Sequence, residues 1–315
     1  MEVAPGIHRI ESVLGPRPFS QYLLRDERSL LVDTGVKETP AEVILPFLDG
    51  LQPDFVLNSH ADVDHYGGNA AMREAAPEAL FLAHALDVPW IESAEAIMRE
   101  RYGWYEAYGL GYEPDVFAWL RDAIGPDMPI DISLRGGEHI RLGPNLTVEV
   151  LNLPGHTPGH IGLWDPSSRT AIVIDSAMAR GLLDMDGNVI HPPPYFDVAD
   201  YLGTARTLQA LRPARLLTAH YDVLEGDDVD RFLADTVAFV EDAARIVEDA
   251  LREAGELTLP ELLALGDAQL GPFTSMPNEL AGSLRAHLRA LVQQGRATEN
   301  SSELLWTTAT VKGGM

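Results

Sequence analysis

Apolar and polar positions alternate, or cluster in short runs, over the first 35 residues. The stretches "GIHRIESV" and "SQYLLRDERSLLVDTG" break at charged or glycine-rich turns and predict short strands. "SLLVDTG" reads as a buried strand ending in Asp33, Thr34 and Gly35. "TPAEVILPFLDGL" then takes helical spacing, with Thr39 as a cap and Pro40 in the first turn. "DFVLNSH" is another short buried strand, and "GGNAAMREAA" opens a helix. Strand and helix alternate, which is an α/β pattern.

From about 85 to 125 the texture is helical and crowded with aromatics: Trp90, Tyr102, Trp104, Tyr105, Tyr108, Tyr112, Phe117 and Trp119. Two readings stand side by side. One is a helical core or dimer interface. The other is a pocket wall, with Trp104, Tyr105 and Tyr108 joined by His191, Tyr195 and Phe196 from a later proline-rich loop, suited to an apolar or aromatic ligand. Strands return from 135 to 175, in "EHIRLG", "LTVEVLNLPG", "HIGLWDP" and "TAIVIDS". "VADYLGTARTLQAL" is a helix and "ARLLTAH" one more buried strand. Past residue 226 come a long amphipathic helix, two shorter ones and a hairpin, "RATEN…ELLWTTAT". That order predicts a winged-helix-like module, although a helical dimerisation tail would read much the same.

Composition narrows the chemistry. At 315 residues, a large domain plus a small one is expected. There are no cysteines, so any metal is held by His, Asp, Glu or backbone oxygen. No apolar run reaches the roughly 18 residues of a membrane helix. The opening "MEVAPGIHRIESV" lacks a secretory signal, so a cytoplasmic location is expected. Net charge is −25, and residues 221–315 carry seven basic against seventeen acidic residues. A nucleic-acid partner is therefore disfavoured.

The informative feature is where histidines and aspartates fall. His60, Asp62, Asp64 and His65 follow "PDFVLN"; His156 lies in "LNLPGHTPGH"; Asp175 ends "AIVID"; His220 ends "RLLTAH". Each sits at the carboxyl end of an expected strand, where α/β folds place ligands. The set resembles the metallo-β-lactamase superfamily. Asp33 matches its first motif, and residues 60–65 match H-x-H-x-D-H except at Asp62. His156, within a glyoxalase II-like "PGHTPGH", matches the third histidine, with Asp175 the bridging aspartate and His220 the last histidine.

The resemblance covers roughly residues 5 to 225. It implies a four-layer αβ/βα sandwich over 1–225, with an insertion at about 85–125, and a small helical domain over 226–315. It implies two divalent ions, usually zinc. The first would be held by His60, Asp62 and His156, the second by Asp64, His65 and His220, with Asp175 between them. Asp64 and Asp175 would be the catalytic carboxylates. A metal-bound hydroxide, its pKa lowered from 15.7 to roughly 7, would attack the substrate. Asp33 and His160 would support the ligands by hydrogen bonds. His84, His8, His139 and His287 are expected to be structural or surface residues.

Asp62 departs from the family. Three ligand carboxylates leave the site one charge more negative than usual, and oxygen in place of nitrogen favours iron or manganese. Flavodiiron proteins carry a carboxylate here, in H-x-E-x-D-H. Aspartate is also shorter than histidine, so an alternative is that Asp62 only hydrogen-bonds His60 or a water. The expected function is hydrolysis of a small ester, lactone, thioester or amide. The alternatives are an endoribonuclease or phosphodiesterase, a di-iron redox protein, or an inactive site. The glyoxalase-like motif argues against antibiotic hydrolysis, and a homodimer is plausible.

Overall fold

The computed structural model describes residues 1–309; Thr310, the end of the expected hairpin, and residues 311–315 lie outside it. Two sheets pack face to face. The first has seven strands, running in chain order from Glu2–Ala4 to Ile132–Leu134. Its first four are antiparallel, and Ser29–Val32, Phe55–Leu57, Leu80–His84 and Ile132–Leu134 pair in parallel. The second has six strands, in the order Leu224–Glu225, Arg215–Leu217, Thr170–Ile172, Ile161–Asp165, Thr147–Asn152, His139–Arg141.

Alternation within strands decides which side chain meets which layer. Tyr22, Leu24, Leu30, Val32 and Leu57 turn inward and meet Val148, Val150, Ile161, Leu163 and Leu217 of the other sheet. Leu23, Leu31 and Val56 turn outward, onto Ile44, Leu48 and Met72 of the flanking helices. The outer face of the second sheet packs on Leu208 of helix Val198–Leu211 and on Phe232 and Leu233. The layers are therefore helix, sheet, sheet, helix, as expected.

Residues Asp227–Ala254 form the long helix. After it come a strand Glu256–Thr258, helices Leu259–Leu270 and Leu280–Gln293, and an antiparallel hairpin, Ala297–Asn300 with Leu305–Thr308. The three strands form a small sheet with Leu305–Thr308 in the middle. This region is not a pendant. Phe239, Val240, Leu280 and Leu284 share one apolar core with Ala61, Val63, Tyr66 and Tyr102 of the sandwich. Among the described residues, no helix is long and apolar enough to cross a membrane.

Candidate metal centre

Short strands end together at one rim of the sandwich, and the loops that leave them carry the histidines and aspartates. Asp33 follows strand Ser29–Val32 and adopts a left-handed conformation, φ 63°. Its carboxylate accepts from Ser59 N at 2.7 Å, Ser59 Oγ at 2.8 Å and His65 Nδ1 at 2.8 Å. One buried aspartate thus fixes the loop bearing His60 and the ring of His65. Asp64 and His65 lie on the short helix Val63–Tyr66. Gly67 and Gly68 follow it, and glycine is required there because a Cβ at either would collide with backbone carbonyls, of Ala123 and Val63 or of Thr34. Ile174, a β-branched residue, is held at φ 49° just before Asp175. Such strain costs about 1–3 kcal/mol and persists where surrounding structure enforces it.

Each candidate ligand histidine has its Nδ1 engaged. His60 Nδ1 is 2.9 Å from Ser59 Oγ, His65 meets Asp33, His156 lies 2.7 Å from Pro194 O and His220 3.1 Å from Pro18 O. That leaves every Nε2 facing the centre, the arrangement in which a neutral imidazole offers a lone pair to a metal. The Nε2 atoms of His60, His65 and His220 are buried without a hydrogen-bond partner. His65 and His220 Nε2 lie 3.3 and 3.4 Å from Asp175 Oδ2. Ligands about 2.1 Å from one tetrahedral ion stand roughly 3.4 Å apart. Among the described residues, three groups have all their donor atoms within 4.8 Å: His60, Asp62 and His156; Asp64, His65 and His220; and His60, His65 and Asp175. The residues fit two neighbouring cations.

Burial would raise the Asp175 carboxyl, but His220 and His65 hold it well below the usual carboxylate range. Burial pushes His60 well down, and the rings of His65, His160 and His156 add to this. His160 stacks on His60 at 4.6 Å, and its Nε2 is 3.3 Å from the Asp175 amide that points at it. It supports the cluster from behind.

Asp62 turns into the same centre. Its Oδ2 lies 3.1 Å from His156 Nε2 and 3.8 Å from His60 Nε2. It has a partner that sequence reasoning missed. Arg101 Nε is 2.9 Å from Asp62 Oδ1 and its NH2 3.0 Å from Oδ2, while Tyr102 OH donates to Oδ1 at 3.1 Å. Burial would raise the Asp62 carboxyl, yet Arg101, with His156, holds it below the usual range. Arg101 and Tyr102 come from a π-helical turn, Met98–Tyr102, a distortion that recurs at functional sites. Arg101 offsets the negative charge that aspartate brings in place of a neutral imidazole. An arginine among buried aromatics was the available signal, since a buried guanidinium needs a carboxylate.

The aromatic segment splits into two roles. Trp104 stacks on Tyr105 at 4.0 Å, and Tyr108 stacks on Trp306 at 6.0 Å; all three pack into the core shared with the C-terminal region. Tyr195 is buried against Tyr201, and its hydroxyl meets His287 at 2.7 Å. Phe196 lies under the Arg101 guanidinium. These five do not line the cavity over the metal ligands. That narrow cavity, about 40 Å³, is walled instead by Tyr102, Trp119, Leu120, Met178, Leu182 and Met276, together with His191. Glu279, from the C-terminal region, also lines it. It accepts from Tyr112 OH at 2.7 Å and sits 3.7 Å from His191 Nε2. Burial raises its carboxyl. His84 is a buried structural residue at a strand end.

Asp87 ties the ligand loops together. It accepts from Ala61 N at 2.9 Å, Thr157 Oγ1 at 2.6 Å and Gly159 N at 2.7 Å, and burial pushes its carboxyl up to about 6. Asp87→Ala strands three buried donors beside His60 and His156. It is expected to cost about 3 kcal/mol in urea unfolding of the metal-free protein. A chelator competition should show weaker metal binding in the same variant. Unchanged values in both would remove Asp87 from the site's support.

Comparison with known proteins agrees with this geometry. The family model described as "Metallo-beta-lactamase superfamily" matches residues 14–220. A hydroxyacylglutathione hydrolase of Fuscovulum blasticum is 30% identical over 151 residues, 47% of this chain and 54% of that protein, so the match spans about half of that relative. Human acyl-coenzyme A thioesterase MBLAC2 is 24% identical, covering 79% of this chain and 81% of its own length. The fold of a metallo-beta-lactamase family protein from Thermus thermophilus covers 98% of this chain and 100% of that one, with a TM-score of 0.73 at 19% identity. The chain belongs to the metallo-β-lactamase superfamily.

Proposed function

We propose that this protein hydrolyses a small acyl ester or thioester, using two metal ions held by His60, Asp62 and His156 and by Asp64, His65 and His220, with Asp175 shared. The observation that carries the reading is the convergence of imidazole Nε2 atoms, each fixed from behind, on a pair of carboxylate-lined positions. Bound there, the ions supply Lewis acidity, polarising the scissile carbonyl and acidifying a water nucleophile. The chain's own residues do the rest. Asp64, the least buried of the three ligand carboxylates, lines the cavity, which supports a role in orienting that water and holding its proton. Trp119, Leu120, Met178 and Met276 favour an apolar acyl group and keep bulk water away. Names of relatives with thioesterase and hydroxyacylglutathione hydrolase activity support the acyl reading.

Arg101 offsets the charge of Asp62, so charge alone does not shift the metal preference; the carboxylate oxygen still leans toward iron or manganese at the first position. We also read residues 226–309 as a winged-helix-like module, supported by its helix and strand order. Its helix Leu280–Gln293 lies against the sandwich, where Ser283 Oγ donates to Pro193 O at 2.9 Å. A helix docked this way is closed to nucleic acid, which weighs against a ribonuclease.

The test loads purified protein with zinc, manganese or iron and screens thioesters, esters, lactones, amides and phosphodiesters, with single-stranded RNA alongside. Acyl hydrolysis is expected, falling at least about 100-fold in Asp175→Asn. Cleavage of RNA or phosphodiesters alone, or turnover indifferent to Asp175→Asn, would overturn the reading.

A further inference from the structure

Three arginines are buried among the described residues: Arg9, Arg17 and Arg101. Arg9 reaches Glu11 at 3.2 Å, Asp222 at 3.4 Å and the Tyr221 carbonyl at 3.1 Å. Arg101 holds Asp62. Arg17 is different. It is 8% exposed, its Nε is buried without a partner, and among the described residues its guanidinium has no ion pair and no hydrogen bond. A buried N–H donor left without a partner is costly, and the rest of the guanidinium faces the cavity. A chain with 48 acidic residues had counterions to spare.

Its place is specific. Arg17 opens strand Arg17–Arg25, directly after the Gly15–Pro16 turn, which Met185 N pins at Pro16 O at 3.0 Å. The next residues brace the metal ligands: Pro18 O receives His220 Nδ1, and Phe19 stacks on His220 at 5.4 Å. Arg17 lines the cavity over the ligands and also an adjoining groove of about 300 Å³. Trp119 and Met276 are shared by both, and Leu14, Gly15, Pro16, Asp115, Val116 and Ser275 line the rest of the groove. The groove's own acidic residue, Asp115, is not within ion-pair distance of Arg17.

We infer that Arg17 receives a carboxylate carried by the substrate at a distance from its scissile carbonyl, with the apolar linker lying along Trp119 and Met276. A planar guanidinium matches a carboxylate in two parallel hydrogen bonds. One cation in a groove whose other polar side chains are Asp115 and Ser275 suits a single negative charge rather than a polyphosphate. The net charge of −25 makes a local cation beside the cavity a comparatively favourable place for an anion. The inference rests on the hydrolase reading for the position of the scissile bond, but not for the carboxylate site itself.

Two measurements separate the two. First, 4-phenylbutyrate and 4-phenylbutyramide are titrated by calorimetry into the metal-loaded protein and its Arg17→Met and Arg17→Lys variants. The acid is expected to bind at least tenfold more tightly than the amide to wild type, to lose that preference in Arg17→Met and to keep part of it in Arg17→Lys. Acid and amide binding alike, or a preference that survives Arg17→Met, overturns the proposal whatever the enzyme hydrolyses. Second, kcat/KM is compared for paired thioesters that differ only in a terminal carboxylate or carboxamide. A ratio of at least ten in wild type, collapsing toward one in Arg17→Met, is expected; equal losses on both thioesters would mean a structural role.

Discussion

Asp62→His, which restores the family's usual motif, is expected to destabilise the protein by roughly 3 kcal/mol rather than improve it. The cause is Arg101. Its guanidinium is fully buried, with Asp62 at 2.9 and 3.0 Å and Glu279 no nearer than 3.9 Å. Removing one partner of a buried pair costs about 3–5 kcal/mol, because the other charge is stranded. Glu279 gives partial cover, which puts the expected value at the lower end. A neutral imidazole cannot take the charge. Asp62→His combined with Arg101→Leu removes both charges and should recover most of the loss. The coupling between the two sites in a double-mutant cycle should reach about 2 kcal/mol or more, read from urea unfolding of metal-free proteins. Metal content gives an independent readout. The single variants should purify short of one equivalent, and the double variant should regain it. Equal urea midpoints for wild type and Asp62→His would end the charge-compensation account.

A chain ending at residue 225 is expected neither to accumulate as soluble protein nor to hold metal. Truncation strips Val229, Phe232 and Leu233 from the second sheet's outer face. It also removes Phe239, Val240, Leu280 and Leu284 from the core that includes Ala61, Val63 and Tyr66, beside the ligands themselves. Each large apolar side chain buried contributes about 1.5–3 kcal/mol. Seven of them outweigh much or all of a typical net stability of about 5–15 kcal/mol. Soluble yield and the metal-to-protein ratio, measured beside the full chain, are the readouts. A soluble truncated form with two bound ions would show the sandwich to be autonomous.

The parts of this molecule that were legible in its sequence are those that rest on local pattern. Short apolar runs ending in His or Asp marked the strand ends that meet at the rim, because side-chain alternation and strand length are local properties. Long-range pairings were not legible. Nothing near Asp62 in sequence announces Arg101, 39 positions on, and nothing in "SMPNEL" announces that Glu279 walls the cavity. The aromatic segment was ambiguous for the same reason. A crowded stretch of Trp and Tyr has one composition whether it faces a ligand or a second lobe of the chain. Here the packing separates Trp119 and Tyr102, which line the cavity, from Trp104, Tyr105 and Tyr108, which join the lobes.

The position of Glu279 has a consequence for how the protein is made. A ribosome synthesises chains from the amino end, and earlier segments begin to fold first. Asp62 and Arg101 both belong to the first third of the chain, so the charge of the buried arginine can be answered early. His220 arrives later, and Glu279 later still, with helix Leu280–Gln293 behind it. Between the emergence of His220 and the docking of that helix, the ligand cluster therefore lies open on the side that the C-terminal region will cover. Ions have wide access during that interval, and narrow access once the last helix has docked.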